Sequence, residues 1–87
     1  GAAEAEAAND PRRSDFRVQA GNSWLAAGDA AKARSAFDSA LAGGIESDEL
    51  RGEVHLDRAR AAVALGDLAA ARADIDLASK LVPSDPA

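Results

Sequence analysis

Apolar residues recur along most of this 87-residue chain at intervals of three and four, the period of one face of an α-helix. Phe16, Ala20, Trp24 and Ala27 follow that spacing and predict a first helix that buries this face. Ala33, Phe37, Ala40 and Leu41 give a second face. Leu50, Val54, Ala61, Ala62 and Leu65 give a third, and Leu68, Ala71, Ile75, Ala78 and Val82 a fourth. The punctuation agrees. Asp10-Pro11 reads as an N-cap followed by proline at the first helical position, so the first helix is expected from Pro11 to about Ala27. Gly28 ends it and Asp29 caps a second helix over Ala30 to Ala42. Gly43-Gly44 stops that helix. Ser47 caps the third, with Asp48 and Glu49 in the first turn where the helix dipole favours acids. It runs to about Leu65, and the fourth helix covers Leu68 to Leu81, with Pro83 beyond it. Two tight Gly-Asp turns make two antiparallel hairpins, and the expected fold is all-α.

The pattern also repeats. Ala26 to Leu41 returns 38 residues later as Ala64 to Ser79. Gly28-Asp29, Ala33, Arg34, Phe37, Asp38 and Ala40 come back in register as Gly66-Asp67, Ala71, Arg72, Ile75, Asp76 and Ala78. A fixed period of this length is the mark of stacked supersecondary units. Arg34 and Asp38, four apart, are expected to pair on the outside, and Arg72 with Asp76 likewise, for a few tenths of a kcal/mol each.

Composition narrows the picture. Apolar residues make up 47%, but alanine supplies more than half of them; Phe16, Trp24, Phe37, eight Leu, four Val and two Ile are the large core formers. A thin, alanine-lined domain follows. The net charge of −5 argues against a nucleic-acid surface, which needs a basic patch, and suits a basic or neutral protein partner. No apolar run approaches the roughly 20 residues of a membrane span. There is no cysteine, hence neither disulfide nor thiolate metal site. Residues 1–10, Ala/Glu-rich and without a large apolar anchor, are expected to be a frayed tail ahead of a helical domain over 11–83. The absence of methionine leads us to expect a processed form or an excised piece. The compartment is left open between cytoplasm and, if a leader has been removed, periplasm.

The repeated set resembles the tetratricopeptide repeat family, which repeats every ~34 residues with Trp-x2-Leu-Gly-x2-Tyr on the first helix, Ala-x3-Phe on the second and then Pro. The match covers about residues 14 to 85, with repeats at about 14–46 and 47–85. Ala33-x3-Phe37 with Ala40, and Ala71-x3-Ile75 with Ala78 and Pro83, fit the second helix. Gly21 and Trp24 stand at the family's Gly and Tyr positions, with Ala59 as a small residue. The chain departs at Arg17 and His55, where Trp is common, at Ala20 and Arg58, where Leu is common, and at Ile45, where Pro is common. Its period of 38 exceeds the family's by about one helical turn.

The resemblance implies a right-handed superhelical array that binds a peptide or partner segment in a groove lined by the first and third helices, without enzymatic activity or cofactor. By register the groove residues are Asp15, Gln19 and Asn22 on the first helix, and Glu49, Glu53, Asp57 and Arg60 on the third. Glu49, Glu53 and Asp57, four apart, form an acidic stripe that would attract a basic or hydrogen-bonding peptide; its plain alternative is a solvated face. Val18 and Leu56 stand where a carboxylate clamp would need lysines. A second expectation is assembly, in which alanine-rich end faces stack on further repeats or on another copy of the chain.

Isolated chemistry is sparse. His55, the single histidine, lacks a motif that would supply a nucleophile, so packing is its expected role. One histidine among scattered carboxylates makes no zinc site. Asp74 and Asp76 point to different sides of a helix, and Trp24 is expected in the core. Arg58, on a buried face, is expected either to be paired, with Asp15 or Asp57 as the candidates, or to lay its stem along the core with its head in water, because an unpaired buried cation is costly. Arg58→Leu is expected to leave stability equal or higher; a loss of more than about 2 kcal/mol would mean a structural ion pair.

Overall fold

The computed structural model describes the backbone of residues 11–81 and the side chains of residues 14–81. Four helices follow one another: α1 (Pro11–Ala26), α2 (Ala30–Ala42), α3 (Asp48–Ala64) and α4 (Leu68–Leu81). The described chain is all-α. α1 packs on α2 and α3 on α4, and the two hairpins meet chiefly through α2 and α3. The expected tail over residues 1–10, the Asp10 cap, Val82 and Pro83 lie outside the described residues.

The helix ends follow from local chemistry. Asp29 Oδ1 accepts the Lys32 amide at 3.1 Å, and Ser47 Oγ accepts the Leu50 amide at 3.2 Å, each satisfying an otherwise orphaned donor. Asp67 Oδ1 does the same for Ala70 at 3.1 Å. Gly28 and Gly66 take φ of 86° and 81°, a left-handed conformation that helps close each hairpin in three residues and that a side chain would strain.

The core sits between the hairpins. Phe37 and Val54 are fully buried, with Val18, Ala33, Ala40, Ile45 and Ala61 around them and Leu25, Leu41 and Leu50 packed against the edge. Gly21 sets the approach of α1: a Cβ there would come within 2.7 Å of Phe37 Cδ1, so only glycine admits the ring. Polar contacts fix the same face of α1. Ser14 Oγ donates to the carbonyls of Gly44 at 3.2 Å and Ala40 at 3.4 Å, and Arg17 Nη1 to that of Ser39 at 3.2 Å. These oxygens belong to the last turn of α2 and the glycine pair that follows it, so the contacts tie α1 to the end of that helix.

This corrects the expected face of the first helix. Phe16, Ala20, Trp24 and Ala27 are exposed; Ser14, Val18 and Gly21 are buried, with Leu25 half-buried. The burying face lies about 135° round the helix from the expected one. Phe37 needs glycine opposite it, and Gly21 lies on that face. Trp24 is therefore not core: it is 39% exposed, with the Lys32 ammonium 4.5 Å from its ring centroid, a cation–π distance. On α4, Ala71 and Ala78 are buried as expected, but Leu68 and Ile75 are 67% and 49% exposed and Asp74 is buried instead. Leu65, expected on the buried face of α3, is exposed as well. The second hairpin closes on a cluster of Ala59, Ala62 and Ala71, which brings α3 and α4 close together but buries little apolar area.

Candidate interaction surface

Two arrangements arise where α3 and α4 meet. The first is an ion-pair network through the hairpin. Asp74, 3% exposed, receives the Arg58 guanidinium: Nη2 lies 2.6 Å from Oδ1, and Nε 2.9 Å from Oδ2. His55 Nδ1 lies 2.8 Å from the same Oδ1. Arg58 then reaches α2 through Nη1, 2.9 Å from Asp38 Oδ1. Burial pushes the Asp74 carboxyl up, but hydrogen bonds from Arg58 and then His55 outweigh it, and the pKa lies below the ordinary carboxylate value. The hydrogen bond to Asp74 leads the effects that raise the Arg58 pKa. Every buried side-chain polar atom among the described residues has a partner.

Arg58 thus has the structural ion pair that its position demands, but with Asp74 and Asp38 rather than Asp15 or Asp57. Arg34 and Asp38 do not pair with each other either. Each crosses to the second hairpin, Arg34 to Asp67 at 3.2 Å and Asp38 to Arg58. Arg72 and Asp76 form no ion pair with each other. For Arg34 and Asp38 the i,i+4 rule gave paired residues but the wrong partners, because the neighbouring hairpin supplies the opposite charges.

The second arrangement is an open groove along α3 and α4. Glu49, Gly52 and Glu53 on α3 face Ile75, Ala78 and Ser79 on α4 across a cleft of about 480 Å³. It runs on into a second cleft, about 360 Å³, lined by Leu56, Ala59, Arg60, Val63 and Ile75. Leu56 and Ile75 line both, so the floor is continuous and apolar. The two glutamates rim one end and Arg60 the other. Such a surface can bury apolar side chains of a partner segment while its acids pair with that segment's cations.

Of the residues expected in a groove, Asp15, Gln19 and Asn22 are exposed on α1, and Glu49, Glu53 and Arg60 on α3. Glu49, Glu53 and Arg60 line the clefts described; the three α1 residues line neither. α1 and α3 touch only slightly, α1 packing mainly on α2 and α3 mainly on α4. Asp57 is half-buried and 3.3 Å from Arg60. Burial raises its pKa, Glu53 adds to the rise and Arg60 opposes it. Reading the sequence missed the floor, Leu56, Val63 and Ile75. The repeat carried the signal, since Ile75 stands where Phe37 is sealed by a following helix.

Among the described residues no group of three or more His, Asp or Glu side chains could hold a metal ion. None of the described helices is long and apolar enough to cross a membrane. The molecule is an all-α protein of two stacked helical hairpins with an apolar, acid-rimmed groove on the second. No family model, curated protein or solved structure matches it.

Proposed function

We propose that this chain is a protein-interaction module, of the kind its tetratricopeptide resemblance implies, which takes a partner segment on α3 and its neighbours. One observation carries the reading: the second hairpin holds Leu56, Val63 and Ile75 on an open face beside Glu49 and Glu53. Exposed apolar side chains gathered in a charged-rimmed groove are a common mark of a docking surface. The preferred segment is amphipathic, with apolar anchors for the floor and a cation for the glutamates. Asp15, Gln19 and Asn22 on α1 and Asp57 on α3 extend the polar surface that a longer segment would meet.

The test is selection from a displayed library of random peptides, with the whole chain as bait. The expected sequences combine apolar anchors at helical spacing with lysine or arginine, and they lose binding to a Glu49→Lys, Glu53→Lys variant. Enrichment that ignores these substitutions, or none at all, overturns the proposal.

A further inference from the structure

The 38-residue repeat allows the open groove to be compared with a filled one. On the first hairpin, Val18, Leu25, Phe37 and Ala40 form the surface that α3 covers, with Val54 buried among them. Moved on by one repeat, those positions are Leu56, Val63, Ile75 and Ala78, four of the residues that line the open groove. The groove is therefore the second copy of a seat whose first copy is occupied.

The seated element has its own counterpart. Moved back by one repeat, α3 becomes α1, and Val54 becomes Phe16. Val54 is 0% exposed and Phe16 67%. Among the described residues, one end carries an empty seat and the other an unburied knob, in the register of the junction made internally. Their sizes are exchanged in a compensating way. The filled seat has the larger floor residue, Phe37, under the smaller knob, Val54. The open seat has the smaller floor residue, Ile75, for the larger knob, Phe16. Volume-conserving exchanges of this kind are the best tolerated in packed interfaces.

Charge recurs as well. The internal junction is bridged by Arg34 on α2 and Asp67 in the α3–α4 turn, 3.2 Å apart. One repeat on and one repeat back, the same residue types stand at Arg72 on α4 and Asp29 in the α1–α2 turn. The second bridge, Arg58 with Asp38, does not recur, because Ala20 holds the place of Arg58.

From these correspondences we infer that the occupant of the groove is α1 of a second copy of this chain, with Phe16 seated on Leu56, Val63 and Ile75 and Arg72 of one copy facing Asp29 of the next. The contact is head-to-tail. It joins two different surfaces, so it leaves a free seat and a free knob at the ends and extends into an open chain rather than closing as a two-fold dimer. This inference rests on the groove being an interaction surface and names its partner.

Sedimentation equilibrium of the whole chain from micromolar to millimolar concentration tests it, alongside Phe16→Glu and Ile75→Glu. Both side chains are exposed in the single molecule, so both variants are expected to fold, and circular dichroism verifies this. The expected result is an average mass that climbs with concentration without levelling at two chains, while each variant alone stays monomeric. The decisive arm mixes the variants. Phe16→Glu keeps the seat and Ile75→Glu keeps the knob, so an equimolar mixture forms a one-to-one dimer and stops there. A wild-type chain that remains monomeric, variants that associate like wild type, or a mixture that remains monomeric overturns the inference. Peptide selection on Phe16→Glu, whose groove is intact, separates the two readings. Peptides enriched there alongside a monomeric wild type defeat self-association alone; no peptides and no association defeat both.

Discussion

The two hairpins are built from one repeated pattern and solve the packing problem differently. In the first, Phe37 is sealed under Val54 of the second hairpin in an apolar junction that Gly21 closes. In the second, the position of Phe37 is taken by Ile75, which remains 49% exposed, and the helices are held by small alanines and by His55, Asp74 and Arg58. The difference is one of neighbours more than of residues. A hairpin buries its own alanines, but its large residue lies on the face that only the next hairpin covers. A repeat of this type carries part of its hydrophobic stabilisation in the junction and none of that part in isolation.

The sharpest way to break the comparison is to truncate the equivalent large residues. Phe37→Ala removes a fully buried ring and is expected to cost about 3–5 kcal/mol, whereas Ile75→Ala should cost about 0.5 kcal/mol or less. Urea unfolding of the two variants at low concentration compares them directly, and equal losses would mean that the second seat is filled in the single molecule.

The polar side of the comparison comes next. Arg58→Leu strips the buried Asp74 of its guanidinium and should destabilise by about 3 kcal/mol. This reverses the equal or higher stability expected from the sequence, because Arg58 has a structural ion pair with Asp74. Adding His55→Leu and Asp74→Leu to Arg58→Leu should recover most of that loss, because an apolar trio needs no compensating charge. Thermal unfolding of the single and triple variants decides it. Gly21→Ala acts on the first hairpin instead, by forcing the Phe37 ring aside, at an expected ~1–3 kcal/mol.

Acidity probes the second hairpin selectively. The Asp74 pKa is lower folded than unfolded, so the unfolded chain takes up the proton first as pH falls. Its contribution is complete above the unfolded carboxylate value, about pH 4, and disappears as pH drops through the lowered folded pKa. Asp57 has the opposite sign: its pKa is raised on folding, so its protonation favours the folded chain slightly. Stability measured across this range should fall with Asp74 dominant, and Asp74→Asn should flatten the acid limb. The smallest effect belongs to the exposed bridge between the hairpins: Arg34→Gln should cost less than about 1 kcal/mol, and less again in high salt.

Much of this architecture is legible in the sequence by itself. The Gly-Asp turns, the Asp29 and Ser47 caps and the two hairpins follow from contacts spanning three or four residues, which local residue types determine. The buried face of α2 was legible for the same reason, since Phe37 is the one large apolar residue in its middle. The acids of the candidate surface could be placed on one face of α3 by spacing alone. The face that α1 buries could not, because it depends on where the Phe37 ring arrives from another helix and finds Gly21. Nor could the partners of Arg34, Asp38 and Arg58, whose opposite charges come from the other hairpin or from across their own. The groove floor was beyond reach as well: Ile75 has the pattern of a core residue, and only the positions of the helices decide that no described helix covers it. Local periodicity fixes which residues share a face; what that face meets is a matter of distances between segments far apart in the chain.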